Sequence, residues 1–360
     1  MPPNCVAPLP HTSISFADFS GFEQLSSSTS RSSHSSSGNL RTYRRISKEE
    51  LFIGALLAQG ATADVHTGIY RGDVVVVKRT KQSLISSPTV ASEFAKEIEQ
   101  EAVFLSTLRH PAIVRCEGLC FVDDSIPLLV LEKAVGVQLS TYLSSRRKPL
   151  SLEMAVSLAL QLAEAIKYLH DHNICHRDIK GQNIIVDTAT GTLKLIDFGL
   201  AKVIQNDCYM TPRTGSYRWA SPENLRGEAY DLSSDVYSFG IILWQLVTGR
   251  YPYPNCTGEE AGAMVAYNGA RPNRLNVSRD CPQALCDLTH ACWAEEPTNR
   301  PMMEGVVKIL RSLLQSVESV EPQPRRSSVT KKAQRTWNRI CSFVSACRDS
   351  PAPNVTTAFA

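Results

Sequence analysis

Three short stretches of this chain hold side chains whose types and spacing could do chemistry. They read LAQGATADVHTGIYRGDVVVVK at 57–78, ICHRDIKGQN at 174–183 and LIDFGL at 195–200. The first resembles a glycine-rich phosphate loop that runs into a strand ending on a lysine. The other two contain aspartates and an asparagine, whose oxygen atoms are the kind of ligand that Mg²⁺ prefers. These residue types indicate a site for a phosphate group and a divalent cation.

The phosphate loop is short of glycine, because Ala58, Gly60 and Ala63 stand where the pattern G-x-G-x-x-G has three glycines. Glycine permits close approach of the backbone to a ligand and unusual φ and ψ angles. Alanine adds one methyl group, which is tolerated where φ stays negative, at some cost in loop mobility or ligand affinity. Beyond the loop, the alternation of side chains along a strand puts Val76 and Lys78 on one face.

The second and third stretches match the motifs H-R-D-x-K-x-x-N and D-F-G, and on these residues the chain resembles the eukaryotic protein kinase family. Phosphoryl transfer needs two oxygens in line and neutralisation of spreading negative charge. The resemblance implies that Asp178 accepts or orients the proton of the attacking hydroxyl. It places the charge of Lys180 near the γ-phosphate of ATP and makes Asn183 and Asp197 the Mg²⁺ ligands.

The resemblance also implies where ATP binds. Lys78 would hold the α- and β-phosphates, with Glu101 as its ion-pair partner and Glu97 as the alternative. Glu101 lies on the inward stripe of a predicted helix, where a carboxylate is oddly placed unless it meets a cation. The implied ATP-binding residues further include Leu57, Ala58, Gly60, Ala63, Val65, Val76, Leu131, Glu132 and Asp197.

Later stretches follow the order that the family has. They are GSYRWASPEN (215–224), SSDVYSFGIILWQLVTG (233–249) and CWAEEPTNRP (292–301). The first matches the substrate-facing loop and the A-P-E anchor, with Ser221 in place of the alanine. The resemblance implies a buried ion pair between Glu223 and Arg300, and it implies that Asp235 braces the backbone of the catalytic loop. It covers roughly residues 50–315.

Lysine at position 180 is typical of serine/threonine kinases, whereas tyrosine kinases usually carry an Ala/Arg arrangement there. GIYRGDVVVVK, Y-R-W and C-W-x-x-x-P-x-x-R-P look most like the tyrosine-kinase-like branch, which includes mixed-lineage and receptor-like kinases. We expect an ATP-dependent serine/threonine kinase that acts on protein substrates in signal transduction. Tyrosine or dual specificity is an open alternative. A pseudokinase scaffold is another, since the loop is depleted and Val76 stands where the family has a smaller alanine.

Arg177, beside the catalytic aspartate, indicates control by a phosphate on the following segment, because arginine can pair phosphate bidentately. The candidates are Tyr209, Thr211 and Thr214, of which we prefer the two threonines, modified by an upstream kinase. Ser216 stands where the family has a substrate-positioning threonine.

The order of predicted elements indicates an α+β fold with two lobes. We predict strands at 74–77, with both faces buried, and at 127–132, and helices at 91–109, 152–172 and 236–247. A small β-rich lobe with one main helix (about 47–133) precedes a larger, mostly helical lobe (about 134–316). S-K-E-E at Ser47 reads as a capping box that begins the ordered chain. Residues 1–46, rich in serine, are expected to be disordered, and 317–360 form a basic, largely disordered tail.

The composition suits one large or two closely packed soluble domains, since the 360 residues are 43% hydrophobic and 20% charged. A net charge of +3 argues against nucleic-acid binding by bulk electrostatics. With no signal segment and no long apolar run, a cytoplasmic location is expected, and nuclear or membrane-peripheral locations stay open. The eleven cysteines include no C-x-x-C pair and are expected to be small buried hydrophobes.

The tail segment KKAQRTWNRICSFVSACR at 331–348 could form a short basic helix with one apolar side. Such a helix resembles a calmodulin target or a membrane-surface helix. We prefer the plainer interpretation, in which the tail docks on the large lobe or is disordered.

Overall fold

Six strands form the sheet at the start of the fold. The computed structural model describes residues 43–122, 126–204, 216–273 and 281–319. Across the sheet the order is β1-β5-β6-β4-β3-β2, and the strands are β1 (Arg45–Ile46), β2 (Leu51–Gln59), β3 (Ala63–Tyr70), β4 (Asp73–Thr80), β5 (Cys116–Cys120) and β6 (Leu128–Glu132). All neighbours pair antiparallel except β1 with β5. Arg71 and Gly72 have φ angles of 53° and 89°, as a two-residue hairpin between β3 and β4 requires.

The ordered chain begins before the predicted boundary at Ser47. Ile46 is only 1% exposed and pairs with Cys120, because β1 extends the sheet beside β5. The predicted capping box follows it: the backbone N–H of Ser47 donates to the carboxylate of Glu50 at 3.2 Å. Because β1 contains Arg45 and Ile46 and Ile46 is buried, the disorder predicted for 1–46 extends at least two residues too far.

The valine run of β4 is buried on one face only, so the prediction that both faces are buried is wrong. Val75 and Val77 are 2% and 0% exposed, whereas Val74 is 53% exposed. Val76 and Lys78 lie between these limits on the second face. An antiparallel sheet can leave one face open, and here that face forms a wall of the cleft.

A single helix, α1 (Pro88–Thr107), crosses this lobe and confirms the main helix predicted at 91–109. It starts earlier than predicted because Ser87 accepts a hydrogen bond from the N–H of Val90 (3.3 Å) and proline occupies the first turn. Its buried stripe includes Ile98, Glu101 and Leu105. The stripe packs on β5 and β6 and brings Glu101 below the sheet.

The second lobe is mostly helical, which confirms the predicted α+β class. Its helices are α2 (Leu139–Ser144), α3 (Leu152–Asp171), α4 (Pro222–Arg226), α5 (Ser233–Thr248), α6 (Gly258–Asn268), α7 (Gln283–Cys292) and α8 (Met303–Ser319). Short strands β7 (Val137–Gln138), β9 (Ile184–Asp187) and β10 (Thr192–Leu195) form one small sheet, and β8 (Ile174–Cys175) pairs with β11 (Lys202–Val203).

Two long helices, α3 and α5, form the centre of this lobe. Nearly every residue of α5 is buried, with Tyr237 and Phe239 fully so, because α3 and α7 both pack against it. The loop that carries H-R-D lies between β8 and β9, and D-F-G follows β10. In the part of the chain that the structure describes, no helix is long and apolar enough to cross a membrane.

Candidate active site

Lys78 joins three elements at the cleft between the lobes. Its Nζ, at the end of β4, lies 3.0 Å from each carboxylate oxygen of Glu101 and 3.2 Å from Oδ1 of Asp197. Glu101 is therefore the partner that the sequence predicted. Asp197 follows β10 and has a left-handed φ of 63°, a conformation that turns the chain sharply at D-F-G. The three residues make one connected charge cluster.

Burial and pairing act in opposite directions on this cluster. Burial alone would lower the pKa of Lys78, but the carboxylates of Glu101 and Asp197 more than offset it and raise that pKa above its ordinary 10.5. For Glu101 burial prevails over the attraction of Lys78, so the pKa of its carboxyl is raised above 4.5. Burial opposes ionisation of Asp197 too, yet Lys78 lowers the pKa of this carboxyl below 3.8. Lys78 is thus charged and Asp197 ionised at neutral pH.

A second connected cluster surrounds Asp178, which is 7% exposed. Nζ of Lys180 donates to Oδ2 of Asp178 at 2.6 Å and to Oγ of Ser216 at 2.9 Å. The hydroxyl of Ser216 donates in turn to Oδ1 of Asp178 at 2.9 Å. Nδ2 of Asn183 donates to the main-chain O and to Oδ2 of Asp178, both at 2.9 Å. The predicted catalytic residues therefore meet, and Ser216 stands with them.

The backbone of this loop is held from below by Asp235 at the start of α5. The carboxylate of Asp235 accepts hydrogen bonds from the N–H of His176 (2.7 Å) and of Arg177 (2.9 Å). Arg177 has a φ of 69°, a left-handed angle that non-glycine residues seldom adopt. Burial works against the charge of Asp235, but the hydrogen bond with His170 (3.3 Å) prevails and lowers the pKa of Asp235. The predicted bracing contact is present.

The open face of the sheet supplies apolar side chains next to Lys78. In the strand register Val65 lies opposite Lys78, and Val76 lies opposite Leu131, so these residues share the face. Leu57 is 49% exposed at the end of β2 that precedes the loop. Val65, Val76 and Leu131 form an apolar wall that could cover a flat apolar ring. Glu132 differs, because its carboxylate pairs with Lys194 at 2.6 Å.

The loop between β2 and β3 is closed by one hydrogen bond, from the N–H of Gly60 to the carbonyl of Ala63 at 2.8 Å. A Cβ on Gly60 would lie 2.9 Å from that carbonyl oxygen, so this position needs glycine. Neither Ala58 nor Ala63 has a left-handed φ angle. Alanine is therefore free of backbone strain at the two positions where the pattern lost glycine.

Glu223 and Arg300 form the ion pair that the sequence predicted, away from the cleft. The two guanidinium nitrogens of Arg300 lie 2.7 and 2.8 Å from the two carboxylate oxygens of Glu223. Both side chains are buried, at 0% and 3% exposure for Arg300 and Glu223. The pair ties α4 to the loop before α8.

Two residues at the site were missed from the sequence. His170, near the end of α3, holds Asp235 from below. Gly199 lies beside the charge cluster, where a Cβ would approach Nζ of Lys78 to 3.3 Å. The D-F-G motif contains Gly199 and could have pointed to it, whereas no local pattern singles out His170. The preferred phosphosites Thr211 and Thr214 and the tail segment 331–348 lie outside the described residues.

Comparison with known proteins places this geometry in a family. A sequence model described as "Protein tyrosine and serine/threonine kinase" matches residues 51–310. The chain is 35% identical over 268 residues to a probable serine/threonine-protein kinase of Dictyostelium discoideum, covering 74% of this chain and 28% of that protein. It is 30% identical to serine/threonine-protein kinase STY46 of Arabidopsis thaliana, over 79% of this chain and 48% of STY46.

A third relative is covered more fully. Serine/threonine/tyrosine-protein kinase HT1 of Arabidopsis thaliana is 32% identical over 303 residues, which are 82% of this chain and 75% of HT1. The family match spans both clusters and the Glu223–Arg300 pair. The resemblance drawn from the motifs is thereby confirmed, and the chain belongs to the protein tyrosine and serine/threonine kinase family.

Proposed function

We propose that this chain is an active protein kinase that transfers the γ-phosphate of ATP to serine and threonine hydroxyls of protein substrates. The observation that carries the proposal is the contact of Lys78 with both Glu101 and Asp197 (3.0 and 3.2 Å). This contact requires β4, α1 and the D-F-G turn to be in place together. Family membership supports it, since protein kinases generally use ATP and Mg²⁺.

The residues at the cleft fit Mg²⁺ and ATP. Both hydrogens of the Asn183 amide nitrogen are taken by Asp178, which leaves the amide oxygen as the group that can bind a cation. The carboxylate of Asp197 is 48% exposed and so can be reached. Asn183 and Asp197 would hold the metal and Lys78 the phosphates, while the apolar wall would cover the adenine. When bound, Mg²⁺ and ATP supply the phosphoryl group and neutralise part of its charge.

The cluster around Asp178 would prepare the attacking hydroxyl. An acceptor hydroxyl that reaches the Asp178 carboxylate can pass its proton there or be oriented by it, because the carboxylate offers lone pairs at both oxygens. Lys180 lies 2.6 Å from the same carboxylate and would hold its positive charge where negative charge develops. The presence of lysine at position 180, which is typical of serine/threonine kinases, supports serine/threonine specificity.

Dual specificity is the second candidate, favoured by one finding. HT1, which the chain resembles over 82% of its length, bears the name of a serine/threonine/tyrosine kinase. Phosphoamino-acid analysis of the autophosphorylated protein separates the two. Phosphoserine and phosphothreonine support the first proposal, and phosphotyrosine alone would overturn it.

A pseudokinase scaffold stays the alternative of a different class. The depleted loop favours it, but Lys78, Glu101, Asp178, Asn183 and Asp197 are all retained. The negative φ angles at Ala58 and Ala63 remove the backbone objection to a working loop. We therefore propose an active enzyme with an altered phosphate loop.

The test is phosphate transfer from Mg²⁺–ATP to a protein acceptor by the wild type and by Asp178→Asn. We expect the variant to lose about 10²–10⁴-fold of the rate, because the base at the attacking hydroxyl is removed. Asp171→Asn is the matched control, since it loses only an exposed pair with Lys167 and should keep wild-type activity. Equal phosphate incorporation by the wild type and Asp178→Asn would favour the scaffold.

Control of the enzyme by phosphorylation at Thr211 or Thr214, through Arg177 and an upstream kinase, stays a prediction. So does the cytoplasmic location. Loss of activity on replacing both threonines by alanine would support the first, and cell fractionation tests the second.

A further inference from the structure

The segment 216–220 begins beside the cluster around Asp178. It folds as a tight turn, in which the N–H groups of Trp219 and Ala220 donate to the carbonyl of Ser216 at 2.9 and 3.1 Å. The hydroxyl of Ser216 at the start of this turn contacts Asp178. Any shift of the turn therefore changes where Ser216 stands relative to Asp178 and Lys180.

Arg218, in the middle of this turn, is bound to the connection between α5 and α6. One terminal nitrogen of its guanidinium donates to the carbonyls of Pro252 (3.2 Å) and Tyr253, and the other to the carbonyl of Cys256. Tyr253 has a left-handed φ of 50°, and the carbonyls of Pro252, Tyr253 and Cys256 form a row that meets one guanidinium. The guanidinium sits in this row, which we name the carbonyl cradle (252–256).

The residues on either side of Arg218 also attach the turn to α5 and α6. The indole N–H of Trp219 donates to Oε1 of Gln245 on α5 at 2.7 Å. The ring of Tyr251 lies 5.1 Å from the Arg218 guanidinium and meets Trp219 edge-on at 5.7 Å. Tyr217 rests on α6, where a Cβ on Gly262 would come within 3.1 Å of its ring.

From these contacts we propose that Arg218 is a positioning residue for the protein acceptor: by filling the carbonyl cradle it fixes the turn that carries Ser216 to Asp178. The proposal rests on the kinase function proposed above and names a determinant of its acceptor site. Among the residues that the structure describes, Arg218 contacts the 252–256 carbonyls and Tyr251 rather than Lys78 or the apolar wall, so it acts on the acceptor side of the reaction.

The chemistry of the cradle explains why arginine suits this position. A guanidinium offers five donors in a planar fork, so it can bind several carbonyls at once. A lysine ammonium presents a single point of charge on a flexible stem and cannot hold the fork geometry. Misplacement of a reacting group by about 1 Å can cost about 10²-fold in rate, so a loosened turn should be visible in activity.

The experiment compares Arg218→Met and Arg218→Lys with the wild type in the full chain. Three quantities are measured: phosphate transfer to dephosphorylated casein, hydrolysis of Mg²⁺–ATP without a protein acceptor, and amide hydrogen exchange over 216–223. For Arg218→Met we expect the ratio of transfer to hydrolysis to fall about tenfold or more. Exchange over 216–223 should accelerate. Arg218→Lys should recover only a small part of the ratio.

The control is Arg250→Met, which removes an exposed arginine from the same connection and should change neither ratio nor exchange. The proposal is overturned if Arg218→Met transfers phosphate as well as the wild type, if transfer and hydrolysis fall together, or if exchange over 216–223 is unchanged. A wild type without transfer or hydrolysis would instead overturn the kinase function. In that case the exchange measurement still decides whether Arg218 anchors the turn.

Discussion

Two sets of ion pairs in this protein join a cation to carboxylates in different ways: Arg300 with Glu223, and Lys78 with Glu101 and Asp197. The side chain of Arg300 is 0% exposed and uses all five of its donors: two on the Glu223 carboxylate and the rest on the carbonyls of Ser233, Ala294 and Glu295. Lys78 lies in the cleft at 20% exposure and divides one ammonium between Glu101 and Asp197.

The difference indicates that the Glu223–Arg300 pair maintains the fold, whereas the pairs of Lys78 serve the proposed phosphoryl transfer. A guanidinium with every donor bound to fixed groups has no donor free for a ligand. Loss of that guanidinium leaves several buried acceptors without a hydrogen bond. An ammonium has three donors that rotate freely and can pass from a carboxylate to a phosphate without rebuilding its surroundings. Breaking the first pair should therefore damage stability, and breaking the second should damage activity.

The largest effect is expected for Arg300→Met. The free energy of unfolding should fall by about 3–5 kcal/mol, because Glu223 is left as a buried charge without a partner. Urea unfolding followed by circular dichroism measures the change. Arg311→Met, which loses an exposed pair with Glu164, should stay within about 0.5 kcal/mol of the wild type. A double variant with Glu223→Gln should recover part of the loss. An Arg300→Met protein as stable as the control would show that the Glu223–Arg300 pair does not maintain the fold.

Lys78→Met should show the opposite balance. Phosphate transfer should drop about 10²–10³-fold, because a preorganised charge at the phosphates is lost. Stability should change less than for Arg300→Met, since Glu101 can take up a proton when its cation is gone. Parallel transfer assays and urea curves measure both quantities. Lys81→Met, whose ammonium lies 3.8 Å from Asp64, is the lysine control. If Lys78→Met unfolded as easily as Arg300→Met, the cleft pair would be structural as well.

The smallest effect concerns pH and sharpens the contrast within the cleft. Burial raises the pKa of Glu101 above 4.5, so the folded protein binds this proton at a higher pH than the unfolded chain. The free energy of unfolding of the wild type, measured relative to Glu101→Gln, should therefore rise as the pH falls from neutral towards 4.5. Urea curves at several pH values test this. A flat difference between the wild type and Glu101→Gln over this pH range would contradict the raised pKa of Glu101.

The sequence predicted the site better than it predicted the surroundings of the site. Asp178, Lys180 and Asn183 belong to one local stretch, and their side chains meet as the motif predicts, while their catalytic roles stay a prediction. The valines of β4 were misread because a run of apolar residues does not say what covers each face of a strand. His170 was missed because its contact spans 65 residues, a distance over which no periodicity carries information.

Arg218 shows a further limit. Y-R-W was recognised as typical of a branch, yet the value of the arginine depends on three carbonyls of a later connection. Every residue has a main-chain carbonyl, so a sequence pattern cannot predict which carbonyls meet at one point in the fold. The start of α1 is a different case, because Ser87 and Pro88 are typical of a helix N-terminus and could have been recognised in the sequence. The apolar stripe alone placed the start of the helix too late, at residue 91.

The register of β2 bears on the loop that lost its glycines. The register between β2 and β3 shifts twice, between Ile53 and Leu56 and between Leu56 and Ala58. As a result, β2 uses two residues more than β3 over the same paired length. At roughly 3.3 Å per residue, the two extra residues add about 7 Å of chain to β2, so β2 has to bend to stay paired with β3. Bulges bend the strand that contains them and increase its twist. Ala58 is the residue at which the second shift ends, so the loop that lost its glycines directly follows an irregular end of β2.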